Sequence, residues 1–206
     1  MFDKFLSIDE EKRQRVINAA LKVFAQKGYQ AASTNEIARE AGISKGLLFH
    51  YFTSKKDLYL YLYDYAVKLI TETIEQFVDP EERDYFERLK QIAQVKLSVL
   101  NDHPDLLGFQ KTIFFEDSAE VSAELKARSK EIAETAYYRL FADIDKSKFR
   151  PDIDADRAIN VILWALEGMG EAERARHRAL GIDLDIPYMM EEFDRYLELF
   201  KTSFYK

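Results

Sequence analysis

The chain has 206 residues, of which 47% are hydrophobic and 14% aromatic, so it contains enough apolar side chains for a substantial core. It has no cysteine, which excludes disulfide bonds, thiolate metal sites and a cysteine nucleophile. No apolar run approaches the roughly 18 residues that a transmembrane helix requires, and the acidic start is unlike a signal peptide. We therefore expect a cytoplasmic protein with no membrane partner.

The net charge of −7 is distributed unevenly along the chain. Residues 1–58 contain ten Lys and Arg against seven Asp and Glu, a net charge of +3. Residues 59–206 contain twenty against thirty, a net charge of −10. This asymmetry favours an N-terminal end that contacts the phosphates of a nucleic acid and a body that stays away from them.

Capping signals predict the two long helices of the N-terminal half. The first helix begins at Ser7, whose spacing to Glu10 fits a capping box, and ends near Gly28. A second capping box at Ser54 starts a long helix over residues 55–78. Alternating tyrosines and leucines within it could also indicate a strand, but the cap and the helical spacing of its leucines favour a helix.

Two short helices are predicted between these long ones, at about 34–41 and 45–51. Gly42 can take the left-handed conformation that ends a helix, and Ser44 can cap the next one. Two short helices joined by a tight turn are the layout of a helix-turn-helix DNA-binding motif.

Further helices are predicted over 80–101, 104–115, 119–142, 154–178 and 187–204, with Pro80 at the first position of its helix. The breaks between them contain proline, glycine or capping residues. The predicted fold is therefore all-α, with about nine helices and no strand.

The last two predicted helices are more apolar than surface helices usually are. They could form a four-helix dimer interface with a second copy, because a DNA reader of this size usually needs two half-sites. The alternative is a plain intramolecular core. The predicted dimer residues are Ile162, Leu166, Met189, Phe193, Tyr196, Leu197 and Phe200.

The second short helix has the residue types that a major-groove reader needs. Gly46 allows a close approach to the bases, Lys45 can reach a guanine edge or a phosphate, and Leu47 and Phe49 can contact thymine methyl groups. Thr34, His50, Tyr51 and Lys55 are expected to contact phosphates on either side. Phe49 and Tyr51 could instead be core aromatics, and His50 an ordinary surface residue.

Several spaced motifs occur in order between residues 8 and 60: Ala19–Phe24, Gly28-Tyr29, Ser33-Thr34, Glu36–Ala38, Ala41–Gly46, Leu48–Phe52 and Ser54-Lys55. Together they resemble the N-terminal domain of the TetR family of bacterial transcriptional regulators. The resemblance implies a DNA-binding domain over 1–54 and a helical ligand-binding and dimerisation domain over 55–206. It also implies a homodimeric repressor that binds a palindromic operator in double-stranded DNA and is released by a small-molecule effector.

The family's base contacts fall on Lys45, Gly46, Leu47 and Phe49, with Asn35 as a further candidate, and its phosphate contacts fall on the four residues given above. Two positions depart from the family pattern, because Phe49 stands where tyrosine is more frequent and Leu47 where small polar residues are frequent. Hydrogen bonding by these two positions is lost, and contacts to methyl groups are expected instead.

The resemblance places the effector among the C-terminal helices. The aromatic-rich composition there favours an apolar or amphipathic ligand, such as a lipid-like acid or a hydrophobic cation, with Glu116, Glu167 or Arg139 as a charge partner. The predicted lining residues are Phe86, Phe109, Phe114, Phe115, Tyr137, Tyr138, Phe141, Trp164 and Met169.

Two rival classes of protein remain, an all-helical enzyme and an adaptor that keeps the fold without sequence-specific DNA binding. The sequence has no glycine-rich phosphate loop and no paired histidines, so we expect no enzymatic activity, no cofactor and no metal site. Glu171, Glu173 and His177 could be imagined as metal ligands, but a solvated helix end explains them better.

Overall fold

The structure, a computed structural model, describes residues 2–183 and 185–206, apart from four side chains in one helix, those of residues 133, 134, 137 and 138. The described residues form ten α-helices and one short 3-10 turn over Lys146–Lys148, with no β-sheet. The all-α prediction is confirmed. The helices are α1 Asp3–Leu6, α2 Glu10–Ala31, α3 Thr34–Glu40, α4 Lys45–Tyr51, α5 Lys55–Phe77, α6 Tyr85–Asp102, α7 Pro104–Phe115, α8 Ser122–Phe141, α9 Ala155–Leu180 and α10 Ile186–Phe204.

The start of the first long helix differs from the prediction. Ser7 ends the short helix α1, and its hydroxyl donates to the carbonyl oxygen of Lys4. Asp9 caps α2 instead, because its carboxylate accepts a hydrogen bond from the backbone N–H of Lys12 at 3.1 Å. At the other end, Gly28 has a φ of 68°, which only glycine adopts readily, so it kinks α2 without ending it.

The start of α6 was also predicted wrongly, because Pro80 lies in a turn and the helix begins five residues later at Tyr85. Asp84 caps it: one carboxylate oxygen accepts from the backbone N–H groups of Phe86 at 2.9 Å and Glu87 at 3.1 Å. Lys148 donates to the other oxygen at 3.0 Å. Burial alone would raise the pKa of Asp84, but these donors and the Lys148 charge lower it.

The chain forms two compact units. The first contains residues 1–77 and 95–136, so it joins the three N-terminal helices and their short leader to α5, the second half of α6, α7 and most of α8. The second contains residues 78–94 and 137–206. These units reflect packing within the chain, and the division into a DNA-binding domain and a ligand-binding domain between residues 54 and 55 stays a prediction.

The second unit has its own hydrophobic core. Tyr85 and Phe86 at the start of α6 pack with Ile159 and Ile162 of α9 and with Leu197 of α10. The last two are fully buried within this chain, so neither can contact a second copy of the protein as predicted. The large apolar residues of α9 and α10 that are exposed are Val161, Trp164, Leu180, Tyr188, Tyr196 and Leu199, and Tyr196 is the one among them that was predicted for the interface.

The remaining predicted dimer residues are either half-buried or exposed. Leu166, Phe193 and Phe200 are half-buried against the core of the second unit, and Met189 is half-buried as well. Tyr196 is exposed. These five residues stay predictions for the dimer interface, because an amphipathic pattern marks the apolar side of a helix without showing which of its edges is left open.

Candidate nucleic-acid interface

The turn between α3 and α4 has the geometry that the sequence predicts. Gly42 has a φ of 68°, and the backbone N–H of Ile43 donates to the carbonyl oxygen of Ala38 at 3.0 Å, so α3 ends in a tight turn. The Ser44 hydroxyl accepts from the backbone N–H of Leu47 at 3.1 Å and caps α4. These local bonds fix the angle at which α4 leaves the turn.

The inner face of α4 is anchored by Leu48, which is 1% exposed, and by Phe52 just after the helix, which is also 1% exposed. Phe52 packs on Phe5 of α1 with ring centroids 4.7 Å apart, and on Tyr61 of α5 at 5.3 Å. The short leader before α2 therefore contributes to the core that supports the reading helix. A seven-residue helix depends on such packing because it is too short to be stable alone.

The outer face of α4 carries the predicted base-contacting residues. Lys45, Gly46 and Phe49 are exposed, and Leu47 is half-exposed. The Lys45 ammonium makes no ion pair within the described residues and lies 5.8 Å from the centre of the Phe49 ring. Phe49 is 39% exposed and is therefore not a core aromatic, which answers the alternative left open by the sequence. The two side chains form one mixed cationic and apolar surface on α4.

The predicted flanking contacts are less uniform. Asn35 and His50 are exposed, and Thr34 at the start of α3 is half-exposed. Tyr51 is half-buried, with its ring 5.5 Å from that of Phe5 and 5.9 Å from that of His50. All four remain predictions for contacts to DNA.

Lys55 is placed differently from the other predicted phosphate contacts. Its ammonium donates to the carbonyl oxygens of Tyr29 at 2.8 Å, Gln30 at 3.1 Å and Ala32 at 3.3 Å, and lies 4.5 Å from the centre of the Tyr29 ring. These carbonyls are the unsatisfied acceptors at the end of α2. Because an ammonium has three N–H donors, a phosphate would have to compete with bonds that already use all of them.

Other basic side chains near α3 are also engaged within the protein. Lys22 of α2 pairs with Glu40 of α3 at 3.2 Å, and Lys27 pairs with Glu36 at 2.6 Å. These pairs fix α3 against α2. They also neutralise two of the positive charges that made the N-terminal part of the sequence favour contacts to DNA phosphates. Of the lysine and arginine residues on α3 and α4, Lys45 is the one that makes no ion pair within the described residues, since Arg39 lies 4.0 Å from Glu40.

Behind the reading helix, α2 is packed against α5 and α7. Phe24 and Tyr29 of α2, Tyr59 of α5 and Phe109 of α7 form an aromatic cluster, with the Tyr59 ring 4.9 Å from Phe24, 5.0 Å from Tyr29 and 5.1 Å from Phe109. We call these four residues the hinge cluster. All four are essentially unexposed.

Gly108 allows the close crossing of α7 on α2, because a Cβ atom at this position would lie 2.8 Å from the Cβ of Ala25. Next to it, burial first and then the nearby Glu120 carboxylate raise the pKa of Tyr29, whose hydroxyl makes no hydrogen bond of ordinary geometry. Burial is likewise the main reason that the pKa of Tyr59 is raised. Both tyrosines therefore stay neutral, and the hinge cluster carries no charge of its own.

The comparisons with known proteins agree with this geometry. The model of the bacterial regulatory proteins of the tetR family matches residues 16–62. YuxN, an uncharacterized HTH-type transcriptional regulator of Bacillus subtilis, is 50% identical over 56 residues, which are 27% of this chain and 19% of that protein. A TetR family transcriptional regulator from Chloroflexus aurantiacus has a crystal structure with a TM-score of 0.58 and 27% identity, covering 99% of this chain and 98% of that one. Residues 16–62 of this chain therefore match the DNA-binding domain of the TetR family.

The match supports a DNA-binding domain of transcriptional regulators in the N-terminal part of the chain. The fatty acid metabolism regulator protein of Bacillus subtilis is 33% identical over 98 residues, which are 47% of this chain and 46% of that protein. The aligned regions thus span less than half the length of these two Bacillus relatives. Both relatives are named as regulators. Among the described residues, no helix combines the length and the apolar character that a membrane span requires.

The predicted effector-lining residues divide between the two units. In the first unit, Phe109 belongs to the hinge cluster, and the rings of Phe114 and Phe115 lie 5.0 Å apart at the end of α7. In the second, Phe86 is fully buried in the core, and Phe141 packs against that core. The side chains of Tyr137 and Tyr138 lie outside the described residues.

Two predicted lining residues are on α9, where Met169 is half-buried and Trp164 is 67% exposed. An indole so exposed does not line an enclosed pocket of a single chain, so this assignment of Trp164 is corrected. Of the three predicted charge partners, Glu167 and Arg139 are exposed, whereas Glu116 is half-buried and caps the turn before α8 through the N–H of Ser118 at 2.9 Å.

Proposed function

We propose that the protein is a ligand-responsive repressor that binds a palindromic operator as a homodimer and is released by a small hydrophobic effector. The single observation that carries the DNA-reading role is the outward surface of α4, where Lys45, Gly46 and Phe49 are exposed while Leu48 anchors the helix from behind. A helix presented in this way can enter the major groove by its first turns.

Dimerisation is supported by the exposed apolar surface on α9 and α10. Trp164 is 67% exposed and Leu199 57%, and Val161 lies one helical turn from Trp164. Contiguous exposed apolar side chains of this size usually mark a protein interface. Two copies joined through these helices would carry two reading helices, as a palindromic site requires.

Release by an effector is supported by the packing of α2. The helix-turn-helix is continuous with α2, and α2 is held by the Lys55 ammonium at its end and by α7 at Gly108. A ligand that favours a different arrangement of α5 and α7 would therefore change the position of α4. Such a ligand acts only through its differential affinity for the two arrangements. One relative is named a fatty acid metabolism regulator, which supports an apolar effector.

The DNA-reading role is tested by selecting bound duplexes from a random library and measuring affinity for the selected site over a salt series. We expect an inverted repeat whose half-sites are about 34 Å apart, and an affinity that falls by orders of magnitude between roughly 50 and 200 mM salt. Selection of no sequence, with weak binding to all duplexes alike, would favour the adaptor alternative.

The dimer is tested by analytical ultracentrifugation of Trp164→Glu, with Phe77→Glu as the matched control because Phe77 is an equally exposed aromatic residue, at 66%, at the end of α5. The first variant should sediment as a monomer and lose cooperative binding to the inverted repeat. The control should stay dimeric. A dimeric Trp164→Glu would contradict the proposed interface.

A further inference from the structure

Lys96 occupies an unusual position on α6. Residues three and four positions away on a helix share its face, and around Lys96 these are Ile92, Ala93, Val99 and Leu100. Val99 is 7% exposed and Leu100 8%, and the other two are half-buried. Lys96 is thus the one polar side chain among the neighbours that share its face, which is the inner face of the helix.

The opposite face of this stretch of α6 is polar and solvent-exposed, with Gln94, Ser98 and Asn101. Lys96 therefore does not belong to the hydrated side of the helix. Its side chain nevertheless retains accessible surface, although its neighbours on the inner face are covered. An accessible side chain at the centre of a face whose neighbours are covered indicates that the packing against this face is open at Lys96.

The Lys96 ammonium has no hydrogen bond, ion pair or ring contact in the part of the chain that the structure describes. Burial lowers the pKa of Lys96, and no neighbouring charge contributes to this shift. The shift agrees with an ammonium that lies among protein atoms and has no counter-charge there. An unpaired ammonium inside a protein is costly unless something supplies its counter-charge.

We propose that Lys96 binds the carboxylate of an effector whose remaining part is apolar. This inference rests on the proposed function and specifies the class of its effector. The apolar neighbours on the inner face of α6 accommodate a hydrocarbon, and the ammonium supplies a charge-assisted hydrogen bond to the one anionic group. The hydrophobic cation that the sequence left open is disfavoured, because the ammonium repels it.

The test uses three twelve-carbon probes that differ only in the charge of the head group: dodecanoate, dodecanol and dodecylammonium. The affinity of each probe is measured by its displacement of the neutral fluorophore N-phenylnaphthylamine from the full-length protein. Each probe is kept below its own critical micelle concentration. We expect the wild type to bind dodecanoate at least about tenfold more tightly than dodecanol, and dodecylammonium most weakly.

Lys96→Met keeps the length of the side chain and removes the charge, so it should lose the preference for dodecanoate while binding dodecanol within about threefold of the wild type. Lys96→Arg should restore the preference. Lys126→Met is the control, because Lys126 is an exposed lysine of α8, and it should behave as the wild type does. A preference for dodecanoate that survives in Lys96→Met, or a wild type that binds dodecanol as tightly as dodecanoate, would overturn the proposal.

Folding of the variant is checked by thermal unfolding without ligand. Since Lys96→Met removes an unpaired internal charge, it should have a melting temperature above that of the wild type, and a lower one would contradict an unpaired ammonium. Binding of the selected operator is measured in parallel by fluorescence anisotropy. If the wild type binds dodecanoate through Lys96 but binds no duplex specifically, the proposed function is wrong. If it binds DNA specifically without the Lys96-dependent preference for dodecanoate, only this inference is wrong.

Discussion

Lys45 and Lys55, the first residues of α4 and α5, show how the surface that reads DNA differs from the packed residues behind it. Ser44-Lys45 and Ser54-Lys55 are the same local motif, and both serines cap their helices by accepting an N–H three residues later, at 3.1 and 3.0 Å. Lys45 is exposed and makes no ion pair with any described residue, whereas Lys55 donates to three carbonyl oxygens at the end of α2. Tertiary surroundings, not local sequence, thus separate a residue available to DNA from one that holds the fold.

Lys45→Ala should give the largest change and should affect DNA binding alone. We expect a loss of about 1 to 3 kcal/mol in affinity for the selected operator, with relaxed preference at one base position, because a base contact is removed. The free energy of unfolding should stay within about 0.5 kcal/mol of the wild type, since an exposed unpaired side chain is lost. Anisotropy titrations and urea unfolding measure the two quantities, with Lys126→Ala as the control. A lower free energy of unfolding in the variant would instead show that the Lys45 side chain stabilises the fold.

Lys55→Met should show the opposite pattern. Removal of three charge-assisted bonds leaves the carbonyls at the end of α2 unsatisfied, so the free energy of unfolding should fall by about 2 kcal/mol. The neighbouring Lys56→Met is the control, because it removes only a half-exposed pair with Glu124 at 3.0 Å and should lose at most about 1 kcal/mol. Unchanged stability together with uniformly weaker binding to all duplexes would show that Lys55 contacts phosphate after all.

Gly108→Ala tests the crossing of α7 on α2. The new methyl group would meet the Cβ of Ala25, so the helices must separate, and we expect a loss of about 1 to 2 kcal/mol in the free energy of unfolding. Gly168→Ala on α9 is the matched control, because no atom lies within 4 Å of its added Cβ, and it should raise stability by up to about 1 kcal/mol. Thermal unfolding of both variants measures these changes. Similar stabilisation by both substitutions would show that α7 does not cross α2 closely at Gly108.

The two capping serines give the smallest expected effect. Ser44→Ala and Ser54→Ala should each lower the free energy of unfolding by about 1 kcal/mol, because each removes one cap of a helix N-terminus. Only Ser44→Ala should also weaken operator binding, by a few-fold, since α4 frays at the end that enters the groove. Equal effects of both substitutions on operator affinity would mean that α5 is part of the reading surface.

The sequence predicted the helix-turn-helix well because its signals are local. Gly42, Ser44 and Ser54 act within their own turns, and the structure confirms all three. Predictions failed where the competing signal was also plausible locally: Ser7 and Pro80 are good helix starts, but Asp9 and Asp84 made better caps. Neither failure could be corrected without knowing which hydrogen bonds the chain completes elsewhere.

The residues that depend on tertiary contacts could not be read from the sequence. Lys55 was expected to face phosphate because the carbonyls that hold it come from 23 to 26 positions earlier in the chain. Lys96 was missed although a signal was present, since it interrupts an apolar row that runs through Ile92 and Leu100 at helical spacing. A charged residue in the middle of such a row is a useful indicator of an internal binding group.

The hinge cluster has a consequence for engineering. Chimeric regulators are commonly imagined as a reader grafted onto a foreign sensor at the linker between them, here between residues 54 and 55. A cut there would separate Phe24 and Tyr29 from Tyr59 and Phe109, and would strip the end of α2 of the ammonium that caps it. A transplantable module of this protein must therefore carry α5 and α7 with it, even though α7 lies some 50 residues further along the chain.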